Sequence, residues 1–387
     1  MSARHNKVFA FSLLTVIWIY FLGNVGGWVA PEIVYSLMGA RGYGEGLAGG
    51  VAALELLGVA LGSLGLAFCA DRLPVRRMAV LAAVLLVLTE YLSSLVLDAT
   101  GLSMLRLSCG IAQGVLMGIA NAVLANGSHP HARLAAVNIV NVLLGSGLLF
   151  ILAPLQQAFV GLSVFTILAV ICLLLTPFCF GLQSRLVQHS LVPRSLGLPN
   201  AASYWLVAAM AVFACGSGAA FTFSFVMGSN AGLADSNINT TISIAVLGAI
   251  PGSLLCGLLG ERCRPLLPLV LVLMIHALAT FAAANASGLW TFSLGVAGIL
   301  FGTYFFLPYL QGLSSRYDPL GATSAAIGGA FFLTMTGGAY VGGAMVETYG
   351  LPALGWLVIV GNLVSALCIA IALHGLGARQ RVAPQFV

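Results

Sequence analysis

Long apolar runs, each long enough to cross a membrane as a helix, constrain this chain more than any other feature of its sequence. Only 6% of its 387 residues are charged, whereas 60% are hydrophobic and the mean hydropathy is +1.07. A soluble domain carries roughly 25% charged residues, and a helix that crosses a bilayer needs about 20 mainly apolar residues. The sequence therefore predicts an all-α membrane protein embedded in a lipid bilayer.

Twelve such runs are separated by short polar or turn-forming segments. Numbered 1 to 12 in chain order, the predicted spans are 8–30, 46–70, 78–98, 101–126, 134–157, 161–182, 204–227, 237–260, 265–284, 288–313, 321–345 and 351–374. The longest polar interruption lies between the sixth and seventh runs. We therefore predict an N-terminal six-helix bundle over residues 1–182, a cytoplasmic linker over 183–203 and a C-terminal six-helix bundle over 204–387.

The basic residues predict the orientation of these spans. All but two of the 15 Lys and Arg residues, Arg41 and Arg106, lie in the termini or in loops on the side of the N-terminus. Because loops rich in Lys and Arg stay in the cytoplasm, we expect both termini to be cytoplasmic and the protein to reside in the inner (plasma) membrane. The formal net charge of +5 follows from the same bias, so we expect no nucleic-acid partner.

Motifs of soluble enzymes and of metal sites are missing from the sequence. Its eight cysteines contain no C-x-x-C pair, and it has neither a Walker-type motif nor H-E-x-x-H. The first apolar run is also too long for the core of a cleaved signal peptide. We expect no cofactor, no metal and no enzymatic activity.

The two halves repeat each other. Gly62-Ser63-Leu64 is followed by Asp71-Arg72, and 190 residues later Gly252-Ser253-Leu254 is followed by Glu261-Arg262. Parallel repeats of six spans predict two pseudo-symmetric bundles with a substrate site near the membrane midplane between them.

These features resemble the major facilitator superfamily over nearly the full length of the chain. The resemblance rests on the arrangement of six plus six spans, on Arg106 followed by a glycine-rich helix, and on the acidic-then-basic loop of Asp71, Arg72, Arg76 and Arg77. Ala67 and Pro74 stand where that family usually has glycine, and span 5 matches the antiporter signature of the family poorly. The resemblance implies a monomeric secondary transporter that works by alternating access.

Charged residues at the cytoplasmic ends of spans are candidates for gating. Opposite charges there can pair with each other and with helix ends in one conformation and separate in another; the alternative is that they only set the topology. The gating candidates are Asp71, Arg72, Arg76, Glu261, Arg262 and Arg264.

Three charged residues lie inside predicted spans, namely Glu55, Glu90 and Arg106. A charge at the centre of a bilayer costs roughly 2.5–3.5 kcal/mol, so it is retained where it is used or paired. Glu55 shares a helix face with glycines that admit a neighbouring helix, so we expect it to face protein rather than lipid. It is a candidate for proton or substrate coupling, and the alternative is a structural carboxyl group hydrogen-bonded between helices. Glu90 is a second proton-coupling candidate, although the resemblance places span 3 outside the bundle. Three roles are open for Arg106: it binds an anionic group of the solute, it exchanges carboxylate partners during transport, or it extends to the outer membrane surface.

Polar and aromatic residues of the presumed inner spans define a candidate substrate site. They are Arg106, Gln113, Asn121, Asn24, Trp28, Asn141, Tyr304, Gln311 and Tyr340. An apolar, aromatic cavity with a few amides and one arginine suits a small organic solute that is amphipathic, aromatic or anionic.

The sequence thus predicts a secondary active transporter for a small-molecule substrate, with protons as coupling ion. Proton-driven efflux of drugs or metabolites is an alternative. Two alternatives come from other classes: a sensor of the same fold that binds its ligand without moving it, and a membrane enzyme acting on lipid.

Overall fold

The structure, a computed structural model, describes residues 14–69, 74–125, 130–159, 162–182, 198, 200–259, 264–315, 318 and 322–382. Regular secondary structure in these ranges is helical throughout. Twelve helices among them are long and apolar enough to cross a membrane: Leu14–Arg41, Glu45–Leu66, Val75–Leu95, Ala99–Leu124, Ala136–Gln156, Val164–Gly181, Ala201–Thr222, Asp235–Leu259, Leu266–Ala284, Leu289–Ser314, Ala326–Tyr349 and Pro352–His374. They are spans 1 to 12, and they confirm the predicted all-α fold of twelve spans.

Several helices continue beyond the membrane-spanning segments, and several spans are interrupted. The helices of spans 2, 4, 5, 11 and 12 run over Glu45–Cys69, Ala99–Ala125, Pro130–Ala158, Ala322–Tyr349 and Pro352–Val382. A turn at Gly23 and Asn24 precedes the helix Val25–Arg41 of span 1. Span 8 consists of Asp235–Val246 and Ala249–Leu259, and Ser224–Asn230 follows span 7. Interruptions of this kind are tolerated at membrane depth where they are covered by protein or line a water-filled cavity.

Span 1 is the one span whose predicted boundary is far from the observed one. The prediction ends it at residue 30, before Pro31 and Glu32, whereas the helix continues to Arg41. Proline lacks a backbone N–H and often ends a helix. Here Pro31 is the seventh residue of the helix that begins at Val25, and both Pro31 and Glu32 are buried. The extension places Glu32 within the membrane.

The chain divides into two compact units. The first comprises Met1–Val192 together with Asp235–Ser243, and the second comprises Pro193–Ala234 and Ile244–Val387. The first part of span 8 therefore packs with the N-terminal spans. There the hydroxyl group of Tyr35 donates to Asp235 Oδ1 at 3.1 Å, and Ser146 Oγ donates to the carbonyl oxygen of Ser243 at 2.7 Å.

Glycines bring spans 2 and 4 together in the first unit. A Cβ atom on Gly58 would meet the carbonyl oxygen of Leu107, and one on Gly110 would meet the carbonyl oxygen of Glu55. Backbone atoms cannot move aside as a flexible side chain can, so only glycine fits at these positions. This close approach confirms the expectation that the glycine face beside Glu55 admits a neighbouring helix.

The second unit repeats this contact at the offset seen in the sequence. Ser63 Oγ donates to the carbonyl oxygen of Gly114 at 3.1 Å, and Ser253 Oγ donates to that of Tyr304 at 3.3 Å. The donor residues and the acceptor residues of the two contacts are each offset by 190 positions. The sequence repeat is therefore a repeat of helix contacts.

The core of the second unit is aromatic. The ring of Phe213 in span 7 lies 4.3 Å from that of Phe306 in span 10, and the rings of Phe305 and Tyr309 stack at 5.2 Å. All four side chains are buried. This packing joins spans 7 and 10 through large apolar surfaces, whereas spans 2 and 4 of the first unit meet through glycines.

Candidate functional site

A buried cluster of charged side chains lies where spans 2, 3 and 4 meet in the first unit. The Nη1 and Nη2 atoms of Arg106 donate to the two carboxylate oxygens of Glu90, at 2.8 and 3.2 Å. Its Nε and Nη2 atoms contact Glu55 Oε2, at 3.0 and 2.6 Å. Arg106 and Glu90 are 0% exposed and Glu55 is 4% exposed. One guanidinium group thus binds two carboxylates away from solvent.

Two further side chains extend this cluster to span 1. The amide nitrogen of Gln113 donates to Glu55 Oε1 at 2.7 Å, and the thiol group of Cys109 donates to Glu90 Oε1 at 3.3 Å. The backbone N–H of Gly26 in turn donates to Gln113 Oε1 at 3.3 Å. A Cβ atom on Gly26 would overlap the Glu55 carboxylate, so glycine is required for span 1 to approach the cluster.

Phe165 of span 6 covers the guanidinium group. Its ring centroid lies 5.1 Å from Arg106 Cζ and 5.4 Å from Arg41 Cζ, so the ring lies between two cations. Cation–π contacts of this kind strengthen when water is excluded. Arg41 is fixed separately, since its guanidinium group donates to the carbonyl oxygens of Ser93 and Val96 at 2.6 and 2.7 Å.

The cluster has one carboxylate more than its single arginine can neutralise. With both glutamates ionised it would carry a net charge of −1 in a buried part of the membrane domain, where an unpaired charge costs several kcal/mol. Binding of one proton removes that excess. Glu55, Glu90 and Cys109 also bring three ligand atoms within 4.8 Å of one another, but these atoms already accept or form hydrogen bonds within the cluster, so a metal ion there would have to displace the guanidinium group.

The structure brings four predicted site residues together here: Arg106, Gln113, Glu55 and Glu90. Arg106 does not extend to the membrane surface, because its side chain is fully buried. Its donors are engaged by carboxylates, so among the predicted roles the exchange of carboxylate partners fits this conformation better than direct contact with an anionic solute. The side chain of Glu90 is fully buried and contacts Arg106, so a span that the resemblance places outside the bundle still directs this residue inward.

A second polar strip follows one face of span 1, which carries the predicted site residue Trp28. The indole N–H of Trp28 donates to Asn141 Oδ1 at 3.4 Å, which joins spans 1 and 5. One turn further along lies Glu32, which sequence reasoning missed because span 1 was ended at residue 30. The sequence signal that identifies Glu32 is its position as a charged residue directly after Pro31 in an apolar run. Asn24 directly precedes the helix Val25–Arg41 without a side-chain capping hydrogen bond and, like Asn121, is partly buried.

Three predicted site residues belong to the second unit. Tyr304 is partly buried, and Gln311 donates to the carbonyl oxygen of Ser324 at 3.4 Å. Tyr340 is 62% exposed. His276 of span 9 is fully buried and contacts the amide group of Asn362 at 3.1 Å.

Only two of the gating candidates lie in the part of the chain that the structure describes. Arg76 Nε donates to the carbonyl oxygen of Leu182 at 2.7 Å and so ties the start of span 3 to the end of span 6. Arg264 is exposed. The other four candidates lie outside the described residues: Asp71, Arg72, Glu261 and Arg262. Their role in gating therefore stays a prediction.

The fold and the cluster together define a class: a polytopic α-helical membrane protein whose described part has twelve spans and a buried charged cluster among spans 2, 3 and 4. The nucleoside transporter NupG shares this fold with a TM-score of 0.72 and 13% identity, over 93% of this chain and 99% of that one. A bacterial homologue of the human lysosomal transporter Spinster, in its inward-facing and occupied conformation, gives 0.69 and 16%, over 97% of both chains.

A structure of the proton dependent oligopeptide transporters gives 0.67 and 13%, over 97% of this chain and 100% of that one. No family model and no curated protein matches this chain. At these identities the likeness shows the fold alone, in agreement with the predicted all-α architecture, and all three neighbours are transporters.

Proposed function

We propose that this chain is a proton-coupled secondary transporter of a small organic solute, and that the cluster of Glu55, Glu90 and Arg106 is its proton-binding site. One observation carries the proposal: a single buried arginine is shared by two buried carboxylates. Charged groups inside a membrane protein are costly and mark ion or proton pathways. The fold, shared with solved transporters, supports movement of solute by alternating access.

Protonation of either glutamate changes which helices the arginine holds together. With both carboxylates ionised, Arg106 ties span 4 to span 2 through Glu55 and to span 3 through Glu90. A proton on Glu55 weakens the first attachment and leaves the ion pair with Glu90. Because Glu55 also accepts from Gln113, which accepts from the backbone of Gly26, the change reaches span 1 and the strip that carries Trp28.

The test measures solute-driven proton movement in proteoliposomes that contain the purified full chain and a pH-sensitive dye. Organic acids, amines, sugars, nucleosides and dipeptides are added one at a time, and exchange of labelled solute is followed in parallel. We expect Glu55→Gln or Glu90→Gln to abolish proton movement while solute exchange persists, because exchange needs no net proton transfer. Exposed Glu347 provides the matched control, since Glu347→Gln makes the same chemical change outside the cluster.

Two outcomes would overturn the proposal. Unchanged proton movement in both cluster variants would place the coupling site elsewhere. A solute that binds the purified protein yet is neither moved nor exchanged in proteoliposomes would favour the sensor over the transporter.

A further inference from the structure

Glu32 presents a buried oxygen atom that nothing around it satisfies. The residue is 5% exposed, and its Oε2 atom has no hydrogen-bond partner among the described residues. The Oδ1 atom of Asn239, a residue that is 3% exposed, also has no hydrogen-bond partner among the described residues. Leaving a buried polar atom without a partner costs about 1–3 kcal/mol, and both of these atoms are hydrogen-bond acceptors. A group that donates hydrogen bonds would satisfy both.

The side chains around Glu32 add negative charge and no positive charge. The amide groups of Gln156 in span 5 and Asn239 in span 8 lie beside its carboxyl group, and the carboxylate of Asp235 repels its ionised form. Asp235 itself accepts a hydrogen bond from the hydroxyl group of Tyr35. The ion pairs among the described residues are those of Arg106, and neither involves Glu32. The charge here is therefore uncompensated, in contrast to the cluster around Arg106.

An aromatic side chain lies on the same helical face. Trp28, Glu32 and Tyr35 are spaced by four and three residues, which places them one above another along span 1. The indole ring of Trp28 packs against Gly145 in span 5, where a Cβ atom would overlap it. All of these residues belong to the first unit, including Asp235 and Asn239. The strip thus combines an indole ring, two amides and an unpaired carboxyl group.

We infer that Glu32 and Asn239 form a recognition site for an organic ammonium ion. Its N–H groups would donate to the two unsatisfied oxygens, and its charge would pair with Glu32. An apolar or aromatic body beside the ammonium group would lie against Trp28. The inference rests on the proposed function in one respect, because it assigns this ligand as the transported solute. A carboxylate solute is disfavoured here, since it would bring a third negative charge next to Glu32 and Asp235.

The experiment compares three probes of nearly the same shape on the purified full chain in detergent: phenylethylammonium, phenylpropionate and phenylpropanol. Binding is measured by calorimetry for the wild type, Glu32→Gln and the control Glu347→Gln. We expect the ammonium probe to bind most tightly to the wild type and to the control. Glu32→Gln should weaken its binding by about tenfold or more, because the amide keeps an oxygen acceptor but lacks the negative charge that pairs with the ammonium group. Glu32→Asp, which keeps the charge, should still prefer the ammonium probe.

Equal binding of the three probes to the wild type would overturn the inference, as would an ammonium affinity unchanged in Glu32→Gln. The wild-type result requires no variant, so poor folding of Glu32→Gln cannot hide a failure. In Glu55→Gln the absolute affinity can change, because Gln113 links Glu55 to span 1, but the order of the three probes should stay the same. A wild type without a preference for ammonium overturns this inference alone, whereas unchanged proton movement in Glu55→Gln and Glu90→Gln overturns the proposed proton site alone.

Discussion

Replacing Arg106 alone should lower the stability of the folded protein far more than replacing it together with its partners. Deleting one member of a buried ion pair leaves an uncompensated charge and costs about 3–5 kcal/mol, whereas replacing the whole group with neutral side chains of similar volume is often close to neutral. Arg106 has two partners, and both are almost fully buried. Its contribution to stability can therefore be separated from its contribution to function.

We predict that Arg106→Ala lowers the unfolding temperature of the purified protein strongly, because two carboxylates then lack a counter-ion. The triple variant Arg106→Met, Glu55→Gln, Glu90→Gln should recover most of that loss and still show no solute-driven proton movement. Thermal unfolding in detergent measures the first effect and the proteoliposome assay the second. A triple variant as unstable as Arg106→Ala would show that the cluster stabilises the fold by more than charge balance.

The inferred ammonium site leads to a pH dependence with a defined sign. As the pH falls, Glu32 takes up a proton and the neutral acid no longer pairs with an ammonium ion, so the affinity for phenylethylammonium should decrease. Calorimetry at mildly alkaline and mildly acidic pH measures the effect, and Glu32→Gln should remove most of it. An affinity that rises on acidification would contradict this assignment.

Sequence reasoning found the charges of the cluster but not their pairing. Glu55, Glu90 and Arg106 are identifiable because each interrupts an apolar run. That they meet depends on how spans 2, 3 and 4 rotate against one another, which no local pattern fixes. Glu32 was missed for a different reason. Pro31 and Glu32 together look like the end of a span, whereas within a membrane protein neighbouring helices can satisfy the backbone around a proline.

The inward orientation of span 3 could have been predicted at the scale of the helix. Its buried face carries small and polar residues, with Ala79, Ala83, Glu90 and Ser93 among them. Its opposite face carries large leucines that are 40–70% exposed, namely Leu81, Leu85, Leu88 and Leu92. Because lipid is as apolar as leucine, small residues rather than large ones mark the packed face of a membrane helix. That pattern places Glu90 inside the bundle.

The glycines between spans 2 and 4 give a prediction for this pair of helices. A Cβ atom in Gly58→Ala would press on the carbonyl oxygen of Leu107, whereas a Cβ atom in Gly65→Ala would meet nothing within 4 Å. We expect Gly58→Ala to destabilise the protein by about 1–3 kcal/mol, as overpacking does. Gly65→Ala should leave the unfolding temperature unchanged or raise it, since alanine is the better helix former. Equal effects would mean that spans 2 and 4 do not meet as closely as described.

At the scale of the whole molecule, the repeat was the most informative feature of the sequence. The offset of 190 residues that relates Gly62-Ser63-Leu64 to Gly252-Ser253-Leu254 also relates the helix contacts of the two units. Matching serines donate to matching carbonyl groups because both units are built on the same helix arrangement. The chemistry is not repeated. The charged cluster of spans 2, 3 and 4 lies in the first unit, whereas span 10, the counterpart of span 4, packs against span 7 through aromatic rings in the second unit.

Orientation in the membrane is the remaining prediction at this scale. Arg41 is the one basic residue predicted to lie at the outer surface, and its guanidinium group is bound by the carbonyl groups of Ser93 and Val96 at the end of span 3. A cation at a helix C-terminus is favourable, so Arg41 is stabilised at this end of span 3 and does not contradict the orientation that the other Lys and Arg residues predict.

We therefore expect a fluorescent protein fused after Val387, which matures only in the cytoplasm, to fluoresce. Alkaline phosphatase, which needs the outer compartment, should be active when fused after Gly42 and inactive after Val387. The opposite pattern would reverse the orientation and place Glu32 in the cytoplasmic half of span 1.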